Sequence, residues 1–180
     1  MFSFEPLQNK HAELTLKWRT SALVQNVSTT EISHDIHHQL QWIEAVRNSS
    51  TEQNWLICYR SKLIGLVGYQ KFDPVHRTAY GNFYIGEEAL ATLGLLALPY
   101  FYNHIFKILS LKVLYGEVLS SNDQIEKINL LHGYEIVNKK LRTIEKGENL
   151  IEVKLMSLRA EKWATFSQHN RKIATFSHNK

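Results

Sequence analysis

Cysteine is almost missing from this chain of 180 residues: the one thiol, Cys58, lies in the apolar run WLICY. A single cysteine excludes an intramolecular disulfide, and its neighbours argue for a small buried side chain over a reactive thiol. Long hydrophobic runs are missing as well. No uninterrupted apolar stretch reaches the roughly 18 residues that a membrane-spanning helix needs, so a soluble protein with no membrane partner is expected. The first residues, MFSFEPLQNKHAEL, lack a basic lead, an apolar stretch and a small-residue cleavage site. Export is therefore not expected, and a cytoplasmic location is. Excess charge of one sign is missing from most of the chain. Residues 1 to 156 hold 16 Lys+Arg and 16 Asp+Glu, and the net +4 lies in residues 157 to 180, where Arg159, Lys162, Arg171, Lys172 and Lys180 stand against Glu161. A body without net charge lacks the field that draws a protein onto a nucleic-acid backbone, so no nucleic-acid partner is expected.

What is present is an ordinary globular composition, 44% hydrophobic and 11% aromatic, of a length that suits one core. The expected division is a domain over residues 1 to 157 and a basic, mobile extension over 158 to 180. That extension repeats ATFSQHN at 164 to 170 as ATFSHN at 174 to 179, too short and polar a repeat to bury a core of its own.

The pattern along the chain reads β-α-α-β-β-β-α-β-α-β-β. FSFEPL is a strand, and HAELTLKWR is read as a helix. Ser33 is the expected N-cap of a second helix, with Asp35 in its first turn, Ile36, Leu40, Ile43 and Val46 at helical spacing, and an end near Asn48. NWLICYR and LIGLVGYQKF, joined by the turn SK, form a hairpin in which Gly65 and Gly68 mark a bulge or a close approach. The strand TAYGNFYI precedes ALATLGLLALPYFYNHIFKIL, a helix that Pro99 kinks or delays. The strand LKVLYGEVLS, the helix SNDQIEKINLL beginning at Ser121 or Asn122, and the strands GYEIVNKKLRTI and NLIEVKLMSL around the turn EKGE complete the order. Such an order packs into a mixed sheet with helices on both faces.

Over residues 12 to 156 the chain resembles the GNAT superfamily of acetyl-CoA-dependent N-acetyltransferases. The fragments that carry the likeness are WRTS at 18 to 21, QWIEAVRNS at 41 to 49, IGLVGYQKFD at 64 to 73, YGNFYIG at 80 to 86, and LKVLYGEVLSSN at 111 to 122 followed by LLHGYEI. Within the superfamily they are most similar to the enzymes of pseudaminic acid and flagellin-sugar biosynthesis, which acetylate the 4-amino group of a UDP-linked 4-amino-4,6-dideoxy sugar. The resemblance implies an α+β fold: a central mixed, mostly antiparallel sheet of about seven strands, splayed between strands four and five. It implies an acyltransferase with acetyl-CoA as cosubstrate, a nucleotide-linked amino sugar as acceptor, and a homodimer as a possible assembly. An acceptor at a protein N-terminus or on another small amine, or a binding domain that has lost catalysis, are the alternatives.

The resemblance also distributes roles. The pantetheine arm of CoA would pair with the backbone of Tyr84 and Ile85, and Gly94 with Leu95 would cradle the pyrophosphate, where a glycine lets the backbone come close. The family shows a basic or Gln residue before a Gly-x-Gly or Gly-x-Ala run, whereas this chain reads ALATLGLLA, so Gly94 is either a remnant cradle or a packing glycine. Glu117, mid-strand among apolar neighbours, is either the acceptor of the amine proton or an exposed strand carboxylate. Asn129 stands where the family has the tyrosine that protonates the CoA thiolate; its amide has no acidic proton, though it can hydrogen-bond to sulfur. Asn122 would touch the CoA arm or cap its helix. Arg19, Lys71, His37 and His38 are the candidates for binding a sugar nucleotide. His34 and His38 lie one turn apart without the carboxylate of a zinc-protease pattern, so no metal is expected.

Overall fold

The computed structural model describes residues 2 to 137, 141 to 167, 174 and 176. Its elements are β1 (Phe2–Pro6), α1 (Ala12–Arg19), α2 (Ala22–Gln25), α3 (Ile36–Asn48), β2 (Gln53–Tyr59), β3 (Lys62–Asp73), β4 (Thr78–Ile85), α4 (Glu88–Ile108), β5 (Val113–Leu119), α5 (Asp123–Leu131), β6 (Glu135–Ile136), β7 (Arg142–Lys146), β8 (Asn149–Arg159) and α6 (Ala160–Ser167).

The strands join one eight-stranded sheet in the order β1-β2-β3-β4-β5-β8-β6, with β7 also on β8. Every pair is antiparallel except β4–β5. The eighth strand arises because GYEIVNKKLRTI is two strands on β8, one at each end. The parallel pair is short. It holds at Thr78↔Val113, Ala79↔Leu114 and Tyr80↔Tyr115 and then stops, although β4 continues to Ile85 and β5 to Leu119. The two strands are splayed from that point, as the family likeness implies.

Alternation along the strands gives the sheet two apolar faces. Leu56 and Leu66 pack with Trp18, Ile43 and Leu7 under α1 and α3. Trp55, Ile57 and Val67 pack with Phe101, Ile105, Leu114 and Met156 under α4. The β2–β3 turn uses Arg60 and Ser61, both at positive φ (48° and 63°), one residue earlier than the expected SK. Both central residues of a tight hairpin turn of the I′ kind take this conformation, because it matches the strand twist. Gly68 is a close approach, for a Cβ there would lie 2.0 Å from Asn54 Oδ1.

Three expectations about the helices are corrected. The cap of α3 is Asp35, whose side chain accepts from His37 N at 2.8 Å; Ser33 instead accepts from Asp35 N at 3.2 Å, one step outside. Pro99 neither breaks nor delays α4: it sits at the start of the segment Leu98–Asn103, inside a continuous run that changes pitch from 3-10 through α to π. A proline there gives up a donor that a fresh segment leaves unpaired anyway. That run is also, by length and composition alone, long and apolar enough to cross a bilayer, against the expectation that no segment is. It lies along the sheet, with Leu98, Phe101 and Ile105 in the core.

The expected boundary at 157/158 falls inside β8. Past it, Trp163 on α6 is 2% exposed and donates to Asn103 Oδ1 at 3.0 Å, and Phe176 stacks on Phe4 with ring centroids 4.1 Å apart. Trp163 and Phe176 therefore pack on the core, and the residues between them other than 164 to 167 and 174 lie outside the described residues. Most of the second ATFS repeat lies outside the described residues.

Candidate active site

Where β4 and β5 part, two cavities meet. The smaller, of about 240 Å³, lies between the diverging strands and α4, α5 and Tyr134. The larger, of about 510 Å³, opens on the other face under α1, the loop that precedes α3, and β3. Gly81, Asn82, Phe83, Tyr84 and Glu117 line both. From Gly81 onward the edge of β4 that faces β5 has no strand partner. Asn82 Oδ1 and Tyr84 Oη are buried with no hydrogen-bond partner. Orphaned polar atoms at an open strand edge are what an extended, polar ligand would satisfy.

The cavity between the strands gathers Tyr84, Ile85, Leu95, Asn122, Asn129 and Glu117 from the residues singled out in the sequence. Asn122 caps α5, accepting from Ile125 N at 3.2 Å. Asn129 is buried, and its Nδ2 faces Met156 Sδ at 3.7 Å. Glu117 accepts from Arg142 Nη1 at 2.7 Å.

Gly94 is not part of this lining. It is buried within α4, and a Cβ there would lie 2.3 Å from Ile85 Cδ1 and 2.5 Å from Cγ1. The helix begins six residues earlier, at Glu88, beside Glu87, which pairs with Lys62 and accepts from Trp18 Nε1 at 3.1 Å. Gly94 is therefore the point where α4 comes down onto β4. Of the two readings of Gly94, the contact with Ile85 favours the packing glycine, since an amide in mid-helix is not presented to a ligand.

In the larger cavity the guanidinium of Arg19 lies 3.8 Å from the Trp42 ring centroid and donates to Gln39 Oε1 at 2.6 Å. Gln39 is buried and passes the bond on, its Nε2 donating to Thr15 Oγ1 at 2.8 Å. Burial pushes the Arg19 pKa down, with Tyr84 and Glu52 opposing. Burial likewise raises the Glu52 carboxyl, against a hydrogen bond from Asn54 Nδ2 at 3.0 Å. Glu31 lines the same cavity. Lys71 lines neither cavity; it is exposed, with Nζ 5.1 Å from the ring centroid of Tyr80, which lines the larger one. His37 and His38 are exposed on α3 and line neither cavity. The inward residue of that turn is Gln39, because three residues separate Ile36 from Gln39 and four separate it from Ile43 on one helical face. Among the described residues, no group of three or more His, Cys, Asp or Glu is placed to hold a metal ion.

Sequence reading passed over four residues that the fold brings here. Trp42, Glu52 and Tyr134, which line the cavities, and Gln39, which holds Arg19, have no role in that reading. The one signal for Tyr134 was the glycine before it: Gly133 has φ 93°, and that turn sends Tyr134 back beneath α5, its N donating to Asn129 O at 3.0 Å.

No family model matches the chain, and no curated protein matches it. Solved structures do. The spermidine N-acetyltransferase of Vibrio cholerae in complex with CoA and spermine is similar with a TM-score of 0.81, at 15% identity over 90% of this chain and 97% of that one. Mutant forms of the spermidine/spermine N-acetyltransferase SpeG of Vibrio cholerae give a TM-score of 0.79 at 15% identity, over 93% of this chain and 98% of that one. The chain has the GNAT fold. A dodecameric form of the Vibrio cholerae spermidine enzyme is similar at a TM-score of 0.74, 15% identity, over 94% and 98% of the two chains. At that identity the likeness speaks for the path of the backbone. The chemistry rests on the residues of this GNAT-fold chain itself.

Proposed function

We propose that this chain is an acetyl-CoA-dependent N-acetyltransferase that works on a primary amine. The observation that carries the reading is the pair of cavities on either side of the β4–β5 splay, with Glu117 in the wall of both. In this reading the thioester arm enters between the strands, along the unpaired edge of β4 at Tyr84 and Ile85, past Leu95, Asn122 and Asn129. The amine arrives from the larger cavity. Glu117 takes the proton that the nitrogen loses as the amide forms, by exchange with its partner Arg142. A positioned carboxylate in this role is worth about a hundredfold or more in rate.

For the acceptor we favour a nucleotide-linked amino sugar. Its support is the resemblance carried by WRTS and QWIEAVRNS, together with the guanidinium of Arg19 on the indole of Trp42, a surface that suits a planar base and an anion. Lys71, over the ring of Tyr80 outside the cavity lining, is a second cation nearby. Spermidine is the second reading. Glu31, Glu52 and Glu117 line the same cavity, and carboxylates suit a polycation. The enzymes of similar fold are named for spermidine and spermine.

The test is calorimetry with acetyl-CoA, followed by CoA release with a UDP-linked 4-amino-4,6-dideoxy sugar and with spermidine. Micromolar binding, about −8 kcal/mol at one micromolar, and turnover with one acceptor are expected. No binding of acetyl-CoA would return the chain to a non-catalytic binding domain.

A further inference from the structure

The position of the usual thiolate-stabilising tyrosine is taken by Asn129, whose amide faces Met156 sulfur inside the wall of the donor cavity. The same wall holds two other phenols. Tyr134 is 6% exposed and Tyr102 is 2% exposed, and both line the cavity between β4 and β5. Their hydroxyls hydrogen-bond to each other, with ring centroids 5.9 Å apart. Tyr102 is fixed from behind by edge contacts to Trp163 at 5.1 Å and His132 at 5.5 Å.

The place of Tyr134 is set by β5. Gly116 directly follows Tyr115, the last residue of β5 that pairs with β4, and directly precedes Glu117. A Cβ at Gly116 would lie 3.7 Å from Tyr134 Cε1, the ring carbon next to the one that bears the hydroxyl. The phenol end of Tyr134 thus lies in contact range of Gly116, one residue before Glu117, which lines both cavities. At that shared wall a thioester in one cavity and an amine in the other have to meet.

We infer that Tyr134, backed by Tyr102, is the hydrogen-bond donor to the departing thiolate, in the role that Asn129 vacates. The inference rests on the acetyltransferase reading above. The nitrogen–carbon bond forms, the carbon–sulfur bond breaks, and the electron pair stays on sulfur. The proton lost by nitrogen goes to Glu117 and from there to solvent. Tyr134 keeps its own proton; the hydrogen bond that it gives to the Tyr102 oxygen swings to the sulfur as the thiolate forms, and Tyr102 then turns to donate to the Tyr134 oxygen. Burial raises both phenols above their ordinary range, and Tyr102 raises Tyr134 further, which keeps the donors protonated. CoA leaves as the thiolate and takes its proton from water, which is feasible because a thiol titrates near about 8.5.

The test needs no acceptor. CoA is bound to the protein, and its thiol is titrated by the ultraviolet absorbance of the thiolate. The groups facing it are Glu117 and Tyr84 from the strands, Tyr102 from α4 and Tyr134, with His132 behind Tyr102. Glu117 alone would raise the thiol's pKa, so a lowered value reports the donor. The expected result is a bound-thiol pKa at least about half a unit below that of free CoA, lost in Tyr134→Phe and weakened in Tyr102→Phe, with CoA affinity changed less than about twofold. The Tyr102→Phe variant carries the test alone if Tyr134→Phe does not fold. A bound thiol that titrates alike in the wild type and either phenylalanine variant overturns the inference and leaves the acetyltransferase reading standing. Failure of the wild type to bind CoA removes that reading, and the inference with it.

Discussion

Arg142 Nη1 on β7 lies 2.7 Å from Glu117 Oε1 on β5, so the carboxylate shared by the two cavities is held by a cation from outside both. The two partners are expected to behave differently on substitution. Glu117→Gln should lower the single-turnover rate of acetyl transfer about a hundredfold or more, with the protein still folded. Arg142 is largely exposed, and Arg142→Ala should change stability by less than about 1 kcal/mol, as surface ion pairs do. An unchanged rate in Glu117→Gln would take this residue out of the chemistry.

Arg19 is placed by Gln39 and Trp42, and the prediction concerns binding of the acceptor. Arg19→Ala should raise KM for an anionic acceptor at least about tenfold, the loss of one charge-assisted hydrogen bond. Its affinity for acetyl-CoA, measured by calorimetry, should not change. Gln39→Leu should move KM in the same direction. With spermidine as acceptor, Arg19→Ala should instead leave KM unchanged or lower it, so kinetics with the two acceptors separate the two readings.

Gly94 meets Ile85, and a methyl group added there has nowhere to go without moving that buried side chain. Gly94→Ala should destabilise the fold by about 1 to 3 kcal/mol. A melting curve should show this as a fall of several degrees at this chain length, on the order of 2 to 4 °C for each kcal/mol. A melting temperature equal to that of the wild type would show that the helix shifts freely on β4.

Trp163 ties the end of the chain to α4 through Asn103 and the ring of Tyr102. Trp163→Ala should cost about 3 to 5 kcal/mol, measured by denaturant unfolding, and truncation before residue 160 should cost at least as much. A truncated chain of unchanged stability would contradict the packing of this segment.

His11 supplies a pH dependence. Its Nδ1 accepts from Gln8 N at 3.1 Å and its Nε2 faces Glu5 Oε1 at 3.1 Å. Burial lowers its pKa and outweighs Glu5, which is itself half exposed. A folded-state pKa below the unfolded value means that the unfolded chain binds the extra proton first. The contribution of His11 is therefore fully present above about pH 6.5 and is lost as the pH falls towards the folded value. Melting temperature should drop on acidification from about pH 8 to about pH 5, and the drop should be shallower in His11→Gln. Equal slopes would assign the acid sensitivity to other groups.

The sequence by itself determined most of the order of the elements, the β2–β3 hairpin to within a residue of its turn, a helix start at Ser121 or Asn122, and the match to a fold whose sheet parts between its fourth and fifth strands. Those features are written in local signals, because periodicity, turn residues and caps act over a few neighbours and survive in one dimension. Only the tertiary structure decided what Gly94 touches, which residue of IHHQLQW turns inward, that Trp163 and Phe176 pack on the core, and that Tyr134 stands beside Gly116. Each of these depends on how far one element slides or tilts against another that is remote in sequence. A turn of α3 by one residue, about 100°, would exchange His38 for Gln39 behind Arg19, and a residue's shift in α4 would free Gly94 from Ile85. Such registers are set by the packing of the whole core, to which no short stretch of sequence has access.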